Sequence, residues 1–97
     1  MKLDIISDPG HAWAKVSIRL LDRLNLLDSI SYYSYMRDGF AYLEEDCDLG
    51  VLMHAAQLAG IPLTFRERVA RERYSRVRNY SRYTPERARN KLVCNSD

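Results

Sequence analysis

The chain has 97 residues, 46% of them hydrophobic and 29% charged, with a formal net charge of +2. That length suits one domain with a modest core, and no apolar run approaches the roughly eighteen residues that a membrane span requires. Asp4 and Asp8 stand where a signal peptide would carry its apolar stretch, so a cytoplasmic protein without membrane contact is expected.

Cys47 and Cys94 are the only two cysteines, and their separation fits neither a zinc spacing nor a disulfide framework, so both read as free thiols. The charge is unevenly placed. Residues 1–65 hold five Lys/Arg and nine Asp/Glu, a balance of −4, whereas residues 66–91 hold ten Lys/Arg and three Glu, a balance of +7. An acidic body followed by a basic segment is implied.

In chain order, Lys2–Ser7 alternates Leu3 and Ile5 against Lys2, Asp4 and Ile6, a strand that Asp8-Pro9-Gly10-His11 ends in a turn. His11 reads as a hydrogen-bond donor in that turn. Trp13–Ile18 predicts a second strand with Ala14, Val16 and Ile18 toward the core and Trp13, Lys15 and Ser17 on the other side. Leu20, Leu21, Leu24 and Leu27 then form a short helical stripe over Arg19–Leu27.

The most informative stretch is Ser31–Asp48. Two strand-forming runs, Ser31–Arg37 and Phe40–Glu45, flank Asp38-Gly39, a dipeptide suited to positive φ at both centres of a type I′ turn. A two-residue loop pairs Arg37 with Phe40, Met36 with Ala41, and Tyr35 with Tyr42, and continues to Ser34 with Leu43 and Tyr33 with Glu44. Met36, Ala41, Ser34 and Leu43 would then pack under a helix. Tyr33, Tyr35, Phe40 and Tyr42 would form an aromatic surface edged by Arg37 and Glu44. The alternative turns the rings inward and the small residues outward.

Asp46 or Asp48 can cap a following helix over 48–60, with Leu49, Leu52, Met53, Ala56 and Ala59 on one face and Gly60 and Pro62 at its end. Ile61–Ala70 reads as a further strand, although Phe65, Val69, Arg73 and Val77 also fit a helical register. Residues 71–83 interleave arginine with tyrosine and hold almost no aliphatic side chain, so no large core surface is expected there. Thr84-Pro85-Glu86 predicts a short helix over 85–92. The expected architecture is α+β: a compact domain over residues 1–83, with a mainly antiparallel sheet of four or five strands and two helices on one face, then a short C-terminal helix or tail over 84–97.

The words DPGHAW at Asp8–Trp13, ISYYSYMR at Ile30–Arg37 and AYLEEDCD at Ala41–Asp48 resemble, in order and spacing, a family of short and largely uncharacterised proteins encoded on bacteriophages, prophages and plasmids. The resemblance covers about the first seventy residues. It implies a mobile-element protein acting in the host cell's cytoplasm that binds and inhibits a host protein complex, a CRISPR effector or another defence assembly among the candidates. The C-terminal segment is longer and richer in arginine than the resemblance accounts for.

The residues themselves argue no reaction. Glu44, Glu45, Asp46 and Asp48 suit a strand end and a helix start, and no calcium-loop pattern accompanies them, so no metal, cofactor or catalytic residue is expected. Partner binding is assigned to Tyr33, Tyr35, Arg37, Phe40, Tyr42, Glu44 and Glu45, because tyrosine and arginine supply much of the energy at protein interfaces. The partner is a host protein, with a homodimer as another use of the same surface. A nucleic-acid accessory role is the alternative, through Arg71, Arg73, Arg76, Arg78 and Arg82 for phosphate and the interleaved tyrosines for stacking.

Overall fold

The structure, a computed structural model, describes residues 1–69 and 75–94. β1 (Lys2–Ser7) and β2 (Ala12–Ser17), the two strands that alternation predicted with the second starting and ending one residue earlier than expected, pair antiparallel. The turn between them is set by Asp8, whose Oδ1 accepts the backbone N–H groups of Gly10 and His11 at 3.0 Å each. His11 is a donor in the turn, but through its backbone.

Ser17 caps α1 (Ile18–Arg23) by accepting the Leu20 N–H at 3.1 Å. The helix stops before the end of its leucine stripe because Asn25 takes φ 59° and completes a Schellman closure, with Asn25 N donating to Asp22 O and Leu26 N to Leu21 O. Leu26 and Leu27 reach the core from the loop instead.

β3 (Tyr35–Arg37) and β4 (Phe40–Glu44) form the expected hairpin: Arg37 pairs with Phe40, Met36 with Ala41 and Tyr35 with Tyr42, around Asp38 and Gly39 at φ 53° and 83°. β3 is shorter than Ser31–Arg37 because Asp48 draws the preceding residues into a turn. Its carboxylate accepts the Ser31 N–H at 3.0 Å, the Ser31 hydroxyl at 2.7 Å and the Ser34 hydroxyl, while Ser34 Oγ accepts the Glu44 N–H at 3.0 Å.

Asp48 therefore does not cap its helix. It is buried at the first position of α2 (Asp48–Leu58), and Cys47, at the cap position, makes no side-chain hydrogen bond to the helix. This turns the helix so that Asp48, Leu52 and Ala56 point inward with Val51 and Ala55 beside them, while Met53 and Ala59, expected inside, are exposed. Asp48→Asn should lower the stability by about 2 kcal/mol, since one charged acceptor serving buried partners is lost. A urea midpoint equal to the parent's would contradict the assigned role.

Gly60, at φ 72°, closes α2 with a second Schellman pattern. β5 (Thr64–Val69) then pairs with β1 in parallel, Lys2 with Thr64 through Ser7 with Val69. This corrects the expected mainly antiparallel sheet of four or five strands: among the described residues the sheet is mixed, six-stranded and ordered β5-β1-β2-β4-β3-β6. The crossover through α2 returns the chain beside Met1, whose ammonium donates to Pro62 O at 2.7 Å, and parallel pairing follows from that re-entry.

A single 3-10 turn, Arg76–Asn79, leads to β6 (Ser81–Arg82), which pairs with β3, and to α3 (Pro85–Cys94). Thr84 caps α3 by accepting the Arg87 N–H at 3.1 Å. The core between sheet and helices gathers Leu3, Ala14, Val16, Ile18, Leu21, Leu43, Leu52, Tyr83 and Ala88. A second, smaller cluster on the opposite face joins Trp13, Tyr42 and Val77, with Ile6, Tyr35 and Tyr80 against it. The expectation that residues 71–83 add no core is thus corrected by Val77 and Tyr83, which are both fully buried.

Candidate functional site

Pairing across the sheet lines up Arg66, Asp4, Lys15, Tyr42, Tyr35 and Arg82 in one row on the face away from the helices. The next row runs Arg68, Ile6, Trp13 and Glu44. The hairpin's aromatic face and the arginine-rich segment, two separate candidates in the sequence, therefore meet: the chain from Ser75 to Arg82 lies across the rings of β2, β3 and β4.

Asp8 holds that segment down. Its side chain is fully buried, Oδ2 accepts the Ser75 N–H at 2.8 Å and Arg78 Nε at 2.8 Å, and Oδ1 accepts Arg78 Nη2 at 3.0 Å. The Arg78 hydrogen bond, joined by backbone N–H groups from Ser75, His11 and Gly10, outweighs burial and holds the Asp8 carboxyl far below the usual carboxylate range. Arg78, expected to contact phosphate, has its Nε and Nη2 committed to Asp8 and lies over the Trp13 ring at 5.4 Å.

Other cations sit on rings in the same way: Lys15 over Phe40 at 4.3 Å, Arg82 over Tyr35 at 4.6 Å and Arg37 over Tyr80 at 5.0 Å. Tyr33 is 55% exposed in the turn before β3, stacked on Tyr32 at 4.8 Å. Phe40 is 37% exposed. Tyr42, expected on the open surface, is only 6% exposed because Tyr80 and Val77 cover it, and burial followed by the Tyr80 hydroxyl pushes its phenol up to about 12.

Between Tyr33, Tyr35, Trp13, His11, Glu44 and Arg82 the surface dips into a cleft of about 210 Å³. Glu44 is mostly buried at its wall, accepting the Asp46 N–H at 2.9 Å with His11 Nδ1 at 3.9 Å. Glu45 and Asp46 are exposed outside it. Arg76 is exposed on the 3-10 turn, and Arg71 and Arg73 lie outside the described residues. Cys47 is exposed, and the neighbouring Asp48 carboxylate raises its thiol pKa, which opposes formation of a nucleophilic thiolate.

Sequence reasoning missed Asp8 as the clamp and Trp13 and Tyr80 as parts of this face. One signal was available: Trp13 alternates away from Ala14 and Val16, so a large ring stood on the side for which no cover had been assigned, and Val77 is an isolated aliphatic in an otherwise polar segment. Among the described residues no helix is long and apolar enough to cross a membrane. Compared with family models, curated proteins and solved structures, the chain matches none.

Proposed function

We propose that this chain is a non-catalytic binding protein of a mobile genetic element, which docks its tyrosine–arginine face on a host protein complex and inhibits it. The observation that carries the reading is the convergence of residues 32–44 and 75–82 on one surface, with Tyr32, Tyr33 and Phe40 exposed and Arg37, Arg76 and Arg82 around them. Phe40 is already held under Lys15, and Tyr32 and Tyr33 are stacked on one another, so these rings lose little freedom on association and the surface is suited to tight contact. The resemblance of its sequence words to phage, prophage and plasmid proteins supports the target class, a CRISPR effector or another defence assembly.

The test is reconstitution with purified defence complexes of the host strain. The parent should form a stoichiometric complex with one of them and block its activity. Tyr33→Ala combined with Arg82→Ala should weaken that complex at least tenfold while keeping a melt close to the parent's, since both side chains lie at the surface. Binding left intact in the double variant would remove this face from the interface.

The row that spans the sheet with Arg66, Lys15 and Arg82 favours a second reading, in which the face tracks a single-stranded nucleic acid. In that case Arg37→Gln, Arg76→Gln and Arg82→Gln together should flatten the salt dependence of oligonucleotide binding by about one unit of slope per lost contact. No anisotropy change for the parent at low salt would exclude it.

A further inference from the structure

The two edges of the sheet are unlike. β6 has two residues, too short to template another strand, whereas β5 has six, all of them exposed, and among the described residues β1 is its one strand neighbour. Such a strand presents outward N–H and C=O groups along its length. On its helix side, Phe65 joins Met53, Ile61 and Leu63 in an open apolar groove of about 640 Å³ beside the end of α2, and the 67% exposed Val69 lies further along the same side. On the other side, Arg66 and Arg68 both pair with Asp4, at 3.0 Å and 3.2 Å, two cations to one carboxylate. The pair of guanidinium groups outweighs burial and holds Asp4 below its ordinary pKa, and one positive charge is left in excess.

Register narrows what can add to this edge. A second copy related by a two-fold axis normal to the sheet must oppose residues that share a face, so opposed residue numbers sum to an even total. Two such registers pair five of the six residues of β5. One, centred on Glu67, sets Glu67 against Glu67 and Arg66 against Arg68. The other, centred on Arg66, sets Arg66 against Arg66. Both juxtapose like charges across the strands, which opposes self-pairing.

We propose that β5 instead accepts an extended segment of another protein as a seventh strand, with the pattern aliphatic–acidic–polar–acidic–aliphatic. Its acids lie opposite Arg66 and Arg68, its aliphatic ends lie opposite Phe65 and Val69, and the one beside Phe65 settles into the groove. The pattern reads the same in both chain directions, so it suits parallel or antiparallel addition. Main-chain bonds supply the attachment and the two faces supply the selection. This site lies at the opposite edge of the sheet from β6 and stands independently of the tyrosine–arginine face.

The test uses the full chain, isotope-labelled for NMR, and a capped peptide Thr-Ser-Val-Asp-Thr-Glu-Val-Ser-Thr, with a control peptide carrying lysine for both acids. Shifts and slowed amide exchange should centre on residues 64–69 and on Met53 and Ile61, and the acidic peptide should bind roughly fivefold or more tightly than the lysine peptide. Arg66→Glu with Arg68→Glu and Asp4→Lys should reverse that preference. Should that triple variant not fold, Arg66→Gln with Arg68→Gln should abolish it, and Phe65→Ser should weaken binding without changing the preference. Equal binding of the two peptides, shifts confined to other surfaces, or dimerisation of the parent through β5 would each overturn the proposal.

Discussion

Replacing Asp8 with alanine is expected to lower the stability by about 3 kcal/mol and the melting temperature by roughly 15 °C. The change removes a buried acceptor that serves Gly10, His11, Ser75 and Arg78 together, so the first turn and the cover of the second cluster loosen at once. Removing one member of a buried ion pair costs more than the pair contributes, because Arg78 is left against Trp13 without its carboxylate. Trp13 emission should shift to the red as the segment lifts; an unshifted spectrum with a parental melt would refute the clamp. The acid limb offers a second check. A carboxyl with a depressed folded-state pKa contributes its stability above the unfolded value, near 3.9, and loses it as pH falls below that value. The gap between parent and Asp8→Asn should therefore be widest above pH 4 and narrow in acid.

Tyr83→Ala should cost about 4 kcal/mol, enough to leave a small domain marginal. Tyr83 is fully buried in the helix-side core, and its hydroxyl donates to Leu27 O at 2.6 Å, tying the chain just ahead of the α3 cap to the loop after α1. Tyr83→Phe keeps the ring and loses that bond, for about 1 kcal/mol. Burial pushes the phenol up to about 12 from 10, so its contribution is complete below pH 10 and is lost as pH rises toward 12. Tyr42, raised likewise, adds to the same alkaline decline. Urea melts at pH 8 and pH 11 should show Tyr83→Phe losing less of its stability than the parent. Equal losses would mean that Tyr83 does not ionise on unfolding in that range.

Contact surface and core thus draw on the same C-terminal segment. Val77 and Tyr83 anchor it, Arg78 locks it, and Arg76, just before the first anchor, and Arg82, just before the second, remain at the surface. Variants that probe binding should be confined to such exposed positions, because a change at an anchor would unfold the surface rather than report on it.

Local chemistry in the sequence determined each element that its own residues can specify. Asp38-Gly39 sets the β3–β4 turn and its register, alternation sets the two faces of β1 and β2, Gly60 ends α2, and Thr84-Pro85 starts α3. Period and turn preference act over a few residues, so these features were legible without the fold. Only the tertiary structure decided the rest. The parallel seating of β5 on β1, the burial of Asp48 under Ser31 and Ser34, and the folding of Val77 and Tyr80 over Trp13 and Tyr42 join residues far apart in the chain. Asp8 and Arg78 are 70 positions apart, and no local pattern shows an aspartate in a Pro-Gly turn which distant arginine will meet it. A basic segment that reads as adding no large core surface covers the second cluster because one buried carboxylate, in the turn between β1 and β2, supplies the charge and acceptors that one of its arginines requires.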